Sequence, residues 1–325
     1  MSAPILQVRN LKVEYATPYG PACAVNDVSF DLAAGEFLAI VGESGCGKST
    51  LLFAIAQLLS SPAEIVGGSV LFNGIDMTSL SDEELRTLRW KHISVVMQSA
   101  MNALNPILTI GAQLTDTCRA HTDWTEDQIV ARSLEVLSMV SIDPVHLNSY
   151  AFQLSGGMRQ RAMIAMALLL NPKLIIMDEP TSALDVVAQR SLMSQIQVLR
   201  KKLGFSVIFV THDMNVVSHF SDRLAVMYAG QIVELGATDD VFLRPKHPYS
   251  MGLMDAFPAL RGERKDLVGI PGNPPSLVIK LPGCYFAPRC DKVQAICVAE
   301  APPINDTDSN LSRCHFLNFE NEHNE

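Results

Sequence analysis

Gly42-Glu43-Ser44-Gly45-Cys46-Gly47-Lys48-Ser49-Thr50 fits G-x-x-x-x-G-K-[ST] at every fixed position. The chemistry open to such a stretch is polyphosphate binding. Glycines let the backbone curl until successive N–H groups converge on phosphate oxygens, and a helix starting at the loop adds positive potential. Lys48 supplies charge for the β- and γ-phosphates, Ser49 a hydroxyl for Mg²⁺, and Thr50 a further phosphate contact. A second constellation is Asp178-Glu179, directly after the apolar Leu174-Ile175-Ile176-Met177. Carboxylates at the end of a buried strand emerge where open α/β sheets bind ligands. Asp178 is expected to hold Mg²⁺ through its water shell and Glu179 to orient or activate the attacking water. Phosphoryl transfer needs positioning and charge stabilisation more than covalent help.

A third stretch, Leu154-Ser155-Gly156-Gly157-Met158, precedes a helical run to Leu170. Ser155 is a good cap, and Gly156 and Gly157 leave backbone N–H groups uncovered by side chains. This is a second anion cradle at a helix start. One nucleotide does not need two cradles in one chain. An ordinary capped helix with a flexible start stays open as the plain reading of Ser155, Gly156 and Gly157.

The elements that must position these groups alternate. Phe37–Val41 is a short apolar strand before the glycine loop, and a helix follows from Leu51. Strands are expected at 93–97, 174–177 and 206–210, with helices at 124–140, 158–170 and 187–203. Continuous apolar strands alternating with helices predict a parallel sheet covered on both faces. Residues 224–234 read as a hairpin turning at Ala229-Gly230, and segments 6–15 and 69–72 suit a smaller antiparallel sheet.

In this order the motifs resemble those of ATP-binding cassette (ABC) proteins, over about residues 5 to 240. The resemblance implies an α/β fold of the P-loop NTPase type: a RecA-like parallel core, an antiparallel β subdomain and a helical subdomain at about 99–165. It also implies roles. Leu154–Met158 resembles the signature that covers the γ-phosphate bound by a partner domain. Tyr15 resembles the aromatic that stacks on adenine. Gln98 resembles the glutamine that touches Mg²⁺ and senses transmembrane subunits. Ser182-Ala183-Leu184-Asp185 resembles the loop linking two sites, with Asp185 at the dimer contact, and His212 resembles the switch histidine at the γ-phosphate. One departure follows Gln98. Where the family often has an acidic residue and proline, this chain has Ser99-Ala100-Met101-Asn102, at the place where membrane-spanning partners would dock.

Composition shifts near Arg244. Repeated prolines break any long periodic element, so 1–243 is read as the nucleotide-binding domain and 244–325 as an irregular extension. Four of the seven cysteines, Cys284, Cys290, Cys297 and Cys314, crowd into that extension with spacing C-x₅-C-x₆-C-x₁₆-C. A reducing compartment makes disulfides improbable and points towards metal. No close C-x₂₋₄-C knuckle of a zinc site occurs, while iron–sulfur clusters take four thiolates at varied spacing. The segments Arg244–Ser250 and Gly283–Cys290 resemble those of dipeptide and oligopeptide importer ATPases, and that resemblance implies a [4Fe–4S] cluster. Zn²⁺ and unliganded thiols stay open.

The chain has 325 residues and a net charge of -9, which argues against nucleic acid as a partner. No apolar run reaches the roughly 18 residues that span a bilayer, and the first residues lack a basic region followed by an apolar core. The expectation is a peripheral ATPase on the cytoplasmic face of the inner membrane. It would bind ATP and Mg²⁺, pair with an identical or sibling ABC ATPase, and drive two transmembrane permease subunits served indirectly by an extracytoplasmic solute-binding protein. The substrate class implied is dipeptides and oligopeptides. Open alternatives are an oligosaccharide, nickel or opine importer, or a soluble ABC ATPase outside transport.

Overall fold

The computed structural model describes residues 3–98, 103–182, 184–256, 269–307 and 310–316. The segment Ser99–Asn102, Ala183, Pro258 and the polar end from Asn318 to Glu325 lie outside the described residues.

In chain order the elements are β1 (Leu6–Tyr15), β2 (Ala22–Leu32), β3 (Phe37–Val41), α1 (Lys48–Ile55), β4 (Ala63–Phe72), β5 (Ile75–Asp76), α2 (Asp82–Leu88) and β6 (Ile93–Val96). Next come α3 (Ile110–His121), α4 (Glu126–Met139), α5 (Gly156–Leu168), β7 (Leu174–Asp178), α6 (Val186–Leu203), β8 (Ser206–Val210) and α7 (Met214–Phe220). The chain continues through β9 (Arg223–Tyr228), β10 (Gln231–Ala237), α8 (Thr238–Leu243), α9 (Pro248–Asp255), α10 (Ala295–Ala299), β11 (Asn305–Thr307) and β12 (Asn310–Ser312). They fall into two compact units. The first is Met1–Leu6, Leu32–Phe37 and Leu71–Thr211; the second is Gln7–Asp31, Leu38–Val70 and His212–Glu325.

In the first unit β6, β7 and β8 run parallel, with Val96 opposite Met177 and Asp178 opposite Val210. Every residue of β7 and β8 is buried, as expected for parallel strands with both faces covered. The helices start where capping residues dictate. Thr125 and Gln128 form a capping box at α4, and Ser155 caps α5 through the Met158 N–H. Arg132 of α4 closes the other end of α5 by donating to the carbonyls of Leu168 and Leu169, both at 2.8 Å. A basic side chain there satisfies orphan carbonyls.

In the second unit β3 and β9 are parallel, and β9, β10, β12 and β11 follow as antiparallel neighbours. Tyr228 faces Gln231 across a two-residue turn in which Ala229 and Gly230 have φ of 44° and 83°. Two consecutive positive φ values make the type I′ turn that suits a twisted hairpin. This is the hairpin expected from Ala229-Gly230.

The extension is drawn into this unit's core. Glu234, a buried carboxylate on β10, accepts from the backbone N–H groups of Lys246 (2.8 Å) and His247 (2.9 Å) at the start of α9. Burial raises Glu234 above the usual carboxylate range. Burial also pushes His247 down to about 3. Its ring stays neutral, so Nδ1 accepts from the Tyr249 N–H at 3.0 Å. Tyr249 and Phe286 then pack on Tyr228 of β9, with ring centroids 4.6 Å and 5.3 Å from it. Each such ring, fully buried, contributes roughly 1.5–3 kcal/mol. The proline-broken sequence conceals this. It also conceals β12, which pairs with β10 in the register Glu234 to Ser312 and Leu235 to Leu311.

Candidate nucleotide site

The phosphate loop lies in the second unit, between β3 and α1. Gly47 takes φ of 104° at the start of α1, and a Cβ there would collide with the Ala24 carbonyl oxygen. Gly42 (φ 152°) is equally closed, its missing side chain replaced by the Met227 carbonyl. Nothing lies within 4 Å of a Cβ built at Gly45, so that side of the loop is open. No side chain caps α1, which leaves its first N–H groups for a ligand. The buried Lys48 ammonium is held over the loop by the carbonyls of Gly42 (2.8 Å) and Glu43 (2.9 Å). Ser44 is exposed, and Ser49 and Thr50 are half-buried at the start of α1. Cys46 is buried with its thiol turned to Lys48 at 3.7 Å, and burial raises that thiol. Its carbonyl accepts from the Gly230 N–H at 2.9 Å, so the hairpin turn pins the loop from behind.

Tyr15 is brought to the same loop. Its hydroxyl lies 3.1 Å from Thr50 Oγ1. Part of the extension runs beside it: Lys280 pairs with Glu14 at 3.8 Å, and the Leu277 carbonyl accepts from the Cys23 N–H at 2.9 Å. His212 also belongs to this unit and is exposed before α7.

The first unit carries the other groups. Asp178 ends β7 and is buried. Glu179 follows with φ of 44°, a left-handed backbone that costs a non-glycine residue of the order of 1–3 kcal/mol. Its N–H is fixed on the Val210 carbonyl at 2.9 Å, and its carboxylate accepts from Gln98 Nε2 at 3.1 Å. Ser155 accepts from the Met158 N–H at 3.3 Å, leaving Gly156 and Gly157 as an uncovered helix start. The face that a Gly157 side chain would occupy is bounded by Leu184, 3.9 Å away. Asp185 caps α6 through the Ala188 N–H at 2.8 Å.

Each unit thus assembles part of the expected set: the loop, Tyr15 and His212 in one, and Gln98, Asp178, Glu179, Ser155–Gly157 and Asp185 in the other. Sequence reading missed three participants. Glu43 stood only as a variable position of the loop, yet Arg289 and Tyr249 of the extension both bind it. A charged residue inside a phosphate loop, which needs a counter-charge, is the signal that could have prompted the search.

The four extension cysteines line one cavity, together with His247 and Phe286. Cys297 and Cys314 are buried; Cys284 and Cys290 are partly buried. Burial raises the Cys284 thiol, and the neighbouring Cys314 and Cys297 raise it further. Among the described residues, however, no group of three or more His, Cys, Asp or Glu side chains is set to hold a metal ion. The metal site expected from the four cysteines has no ion-sized ligand group behind it.

Residues 25–182 match the family model described as ABC transporter, and residues 233–297 match the oligopeptide/dipeptide transporter C-terminal region. The chain is 44% identical to the oligopeptide transport ATP-binding protein OppD of Salmonella typhimurium over 302 residues, 92% of this chain and 90% of that one. The chain belongs to the ABC transporter family. It is 41% identical to the dipeptide transport ATP-binding protein DppD of Caldanaerobacter subterraneus over 300 residues, 92% of each. Among solved structures it is similar to the dimeric ABC transporter cassette MJ0796, with TM-score 0.65 and 31% identity over 72% of this chain and 98% of that one. A post-hydrolysis state of that cassette holds ADP and Pi. Similarity to cbiO1 of Clostridium perfringens gives TM-score 0.66 at 27% identity over 75% of this chain and 92% of that one. The ABC fold and ATPase activity expected from the motifs are therefore those of this chain. No described helix is long and apolar enough to cross a membrane.

Proposed function

We propose that this ABC ATPase is the energy-supplying subunit of a peptide importer. The observation that carries the reading is the joining, on one chain, of the phosphate loop to an extension of the oligopeptide/dipeptide type, with the extension built into the loop's own unit. Lys48, Ser49 and the loop N–H groups bind ATP and Mg²⁺, with Tyr15 against the base. Asp178 and Gln98 serve Mg²⁺, Glu179 orients the attacking water, and His212 contacts the γ-phosphate. Ser155–Gly157 cover the ATP of a second ABC ATPase, and Asp185 lies at that contact. Closure of the pair pulls on two transmembrane permease subunits at the cytoplasmic face of the membrane, supplied by an extracytoplasmic solute-binding protein. Similarity to OppD and DppD by name supports peptides as the substrate class.

A [4Fe–4S] cluster belongs to the same proposal. Its support is the shared lining of one cavity by Cys284, Cys290, Cys297 and Cys314. When bound, the cluster would supply four covalent ties that brace the extension.

The test is uptake by proteoliposomes holding the chain with its co-purified membrane partners. Labelled tripeptide should accumulate with ATP and not with the Glu179→Gln chain. Uptake of nickel or an oligosaccharide instead would reject the peptide assignment. Anaerobically purified chain should be brown, absorb near 400 nm and carry iron and sulfide; colourless, iron-free protein would reject the cluster, and stoichiometric zinc would replace it.

A further inference from the structure

Glu43 is the second residue of the phosphate loop, and it is held at both ends. Its backbone N–H donates to the Tyr249 hydroxyl at 3.0 Å. Its carboxylate accepts two charge-assisted bonds from Arg289, Nη1 to Oε2 at 2.8 Å and Nη2 to Oε1 at 2.9 Å. This fork-to-fork geometry fixes orientation as well as distance. The Arg289 side chain is only 5% exposed and that of Glu43 26%, so water and salt screen the pair weakly.

Arg289 is itself fixed from several sides. It donates to the carbonyls of Pro271 (2.9 Å) and Ile270 (3.2 Å) and to the Tyr228 hydroxyl (3.4 Å), and its guanidinium lies 5.8 Å from the Tyr228 ring centre. The Glu43 carbonyl in turn receives Lys48 Nζ at 2.9 Å and the Cys46 N–H at 3.3 Å. A continuous chain of bonds therefore runs from the extension, through Glu43, to the loop lysine.

Two physical effects follow. A glycine-rich loop loses much freedom when its N–H groups converge on phosphate, and anchoring it beforehand removes part of that cost. A bare carboxylate inside the loop would also repel a polyphosphate, and the Arg289 charge cancels it. We propose that Arg289 and Tyr249 are positioning residues that act through Glu43, so that the C-terminal extension sets the affinity of the phosphate loop for ATP. This rests on the ATPase reading above.

The test is titration of the full chain with ATP·Mg²⁺ and a fluorescent ATP analogue, alongside steady-state hydrolysis. Arg289→Ala should weaken ATP binding and raise KM by the order of tenfold, with kcat at saturating ATP changed by less than about twofold. Glu43→Gln combined with Arg289→Ala should recover a large part of that loss, because the uncancelled carboxylate is gone. A purely structural role for Arg289 predicts no such rescue. ATP binding by Arg289→Ala equal to wild type, or a double variant as weak as the product of the single effects, would overturn the proposal. If Arg289→Ala fails to fold by circular dichroism, Tyr249→Phe decides, since it deletes only the hydroxyl that accepts from the Glu43 N–H. Severalfold weaker ATP binding by Tyr249→Phe is expected, and unchanged binding overturns the proposal. A wild-type chain that binds no ATP would reject the ATPase reading itself, and the wild-type curve shows that separately.

Discussion

The Gln98 carboxamide donates to Glu179 Oε2 at 3.1 Å. One hydrogen bond thus joins the glutamine for which the family resemblance implies a sensing role and the glutamate proposed to orient water. The Glu179 backbone is left-handed, and its N–H is fixed on the Val210 carbonyl.

Glu179→Gln is expected to lower phosphate release at least about 100-fold, the lower range for loss of a general base. ATP affinity should stay within about twofold of wild type. Parallel phosphate-release and ATP-titration measurements check this. Hydrolysis at the normal rate would remove Glu179 from the mechanism.

Gln98→Ala removes the carboxamide that donates to Glu179 and leaves the carboxylate in place. We expect kcat to fall by about tenfold while KM for ATP is unchanged, the signature of an interaction that orients the reacting groups. A raised KM with unaltered kcat would assign Gln98 to nucleotide binding alone.

Gly47→Ala would place a methyl group against the Ala24 carbonyl on a backbone with φ of 104°. The left-handed strain alone costs about 1–3 kcal/mol, and the collision adds to it. The melting temperature should drop by several degrees and ATP binding should be lost. The same substitution at Gly45 meets open space, yet its φ of 79° is strained too, so it should destabilise less than Gly47→Ala.

Ser155→Ala removes the cap of α5, worth about 1 kcal/mol. Because Ser155 is assigned to the partner's nucleotide, ATP binding by the isolated chain should be unaffected, while hydrolysis by the paired ATPases falls. Weakened ATP binding in the isolated chain would contradict the two-protomer reading.

Local features of the site were legible from sequence. The loop, Asp178-Glu179 after four apolar residues, the Ser155 cap and the Ala229-Gly230 turn are each written within a few consecutive positions. Glu43 and Arg289 stand 246 residues apart, and no periodicity records such a pairing. Glu234 was equally opaque: a carboxylate on a strand reads as solvent-facing, whereas here it is buried to receive the first N–H groups of the extension. The strands β11 and β12, rich in Asn, Asp, Thr and Ser, lack the β-branched alternation that marks a strand; β12 forms on β10, and β11 forms on β12.

That partnership has a consequence for handling the molecule. β12 covers the backbone of Glu234 and Leu235 on β10, with β11 outside it. A chain shortened to remove β12 would expose apolar β10 as a bare ribbon of unpaired donors and acceptors, the kind of border along which identical molecules add to one another. Truncation for crystallisation or labelling should therefore yield material that self-associates in proportion to its concentration, even where the phosphate loop is untouched.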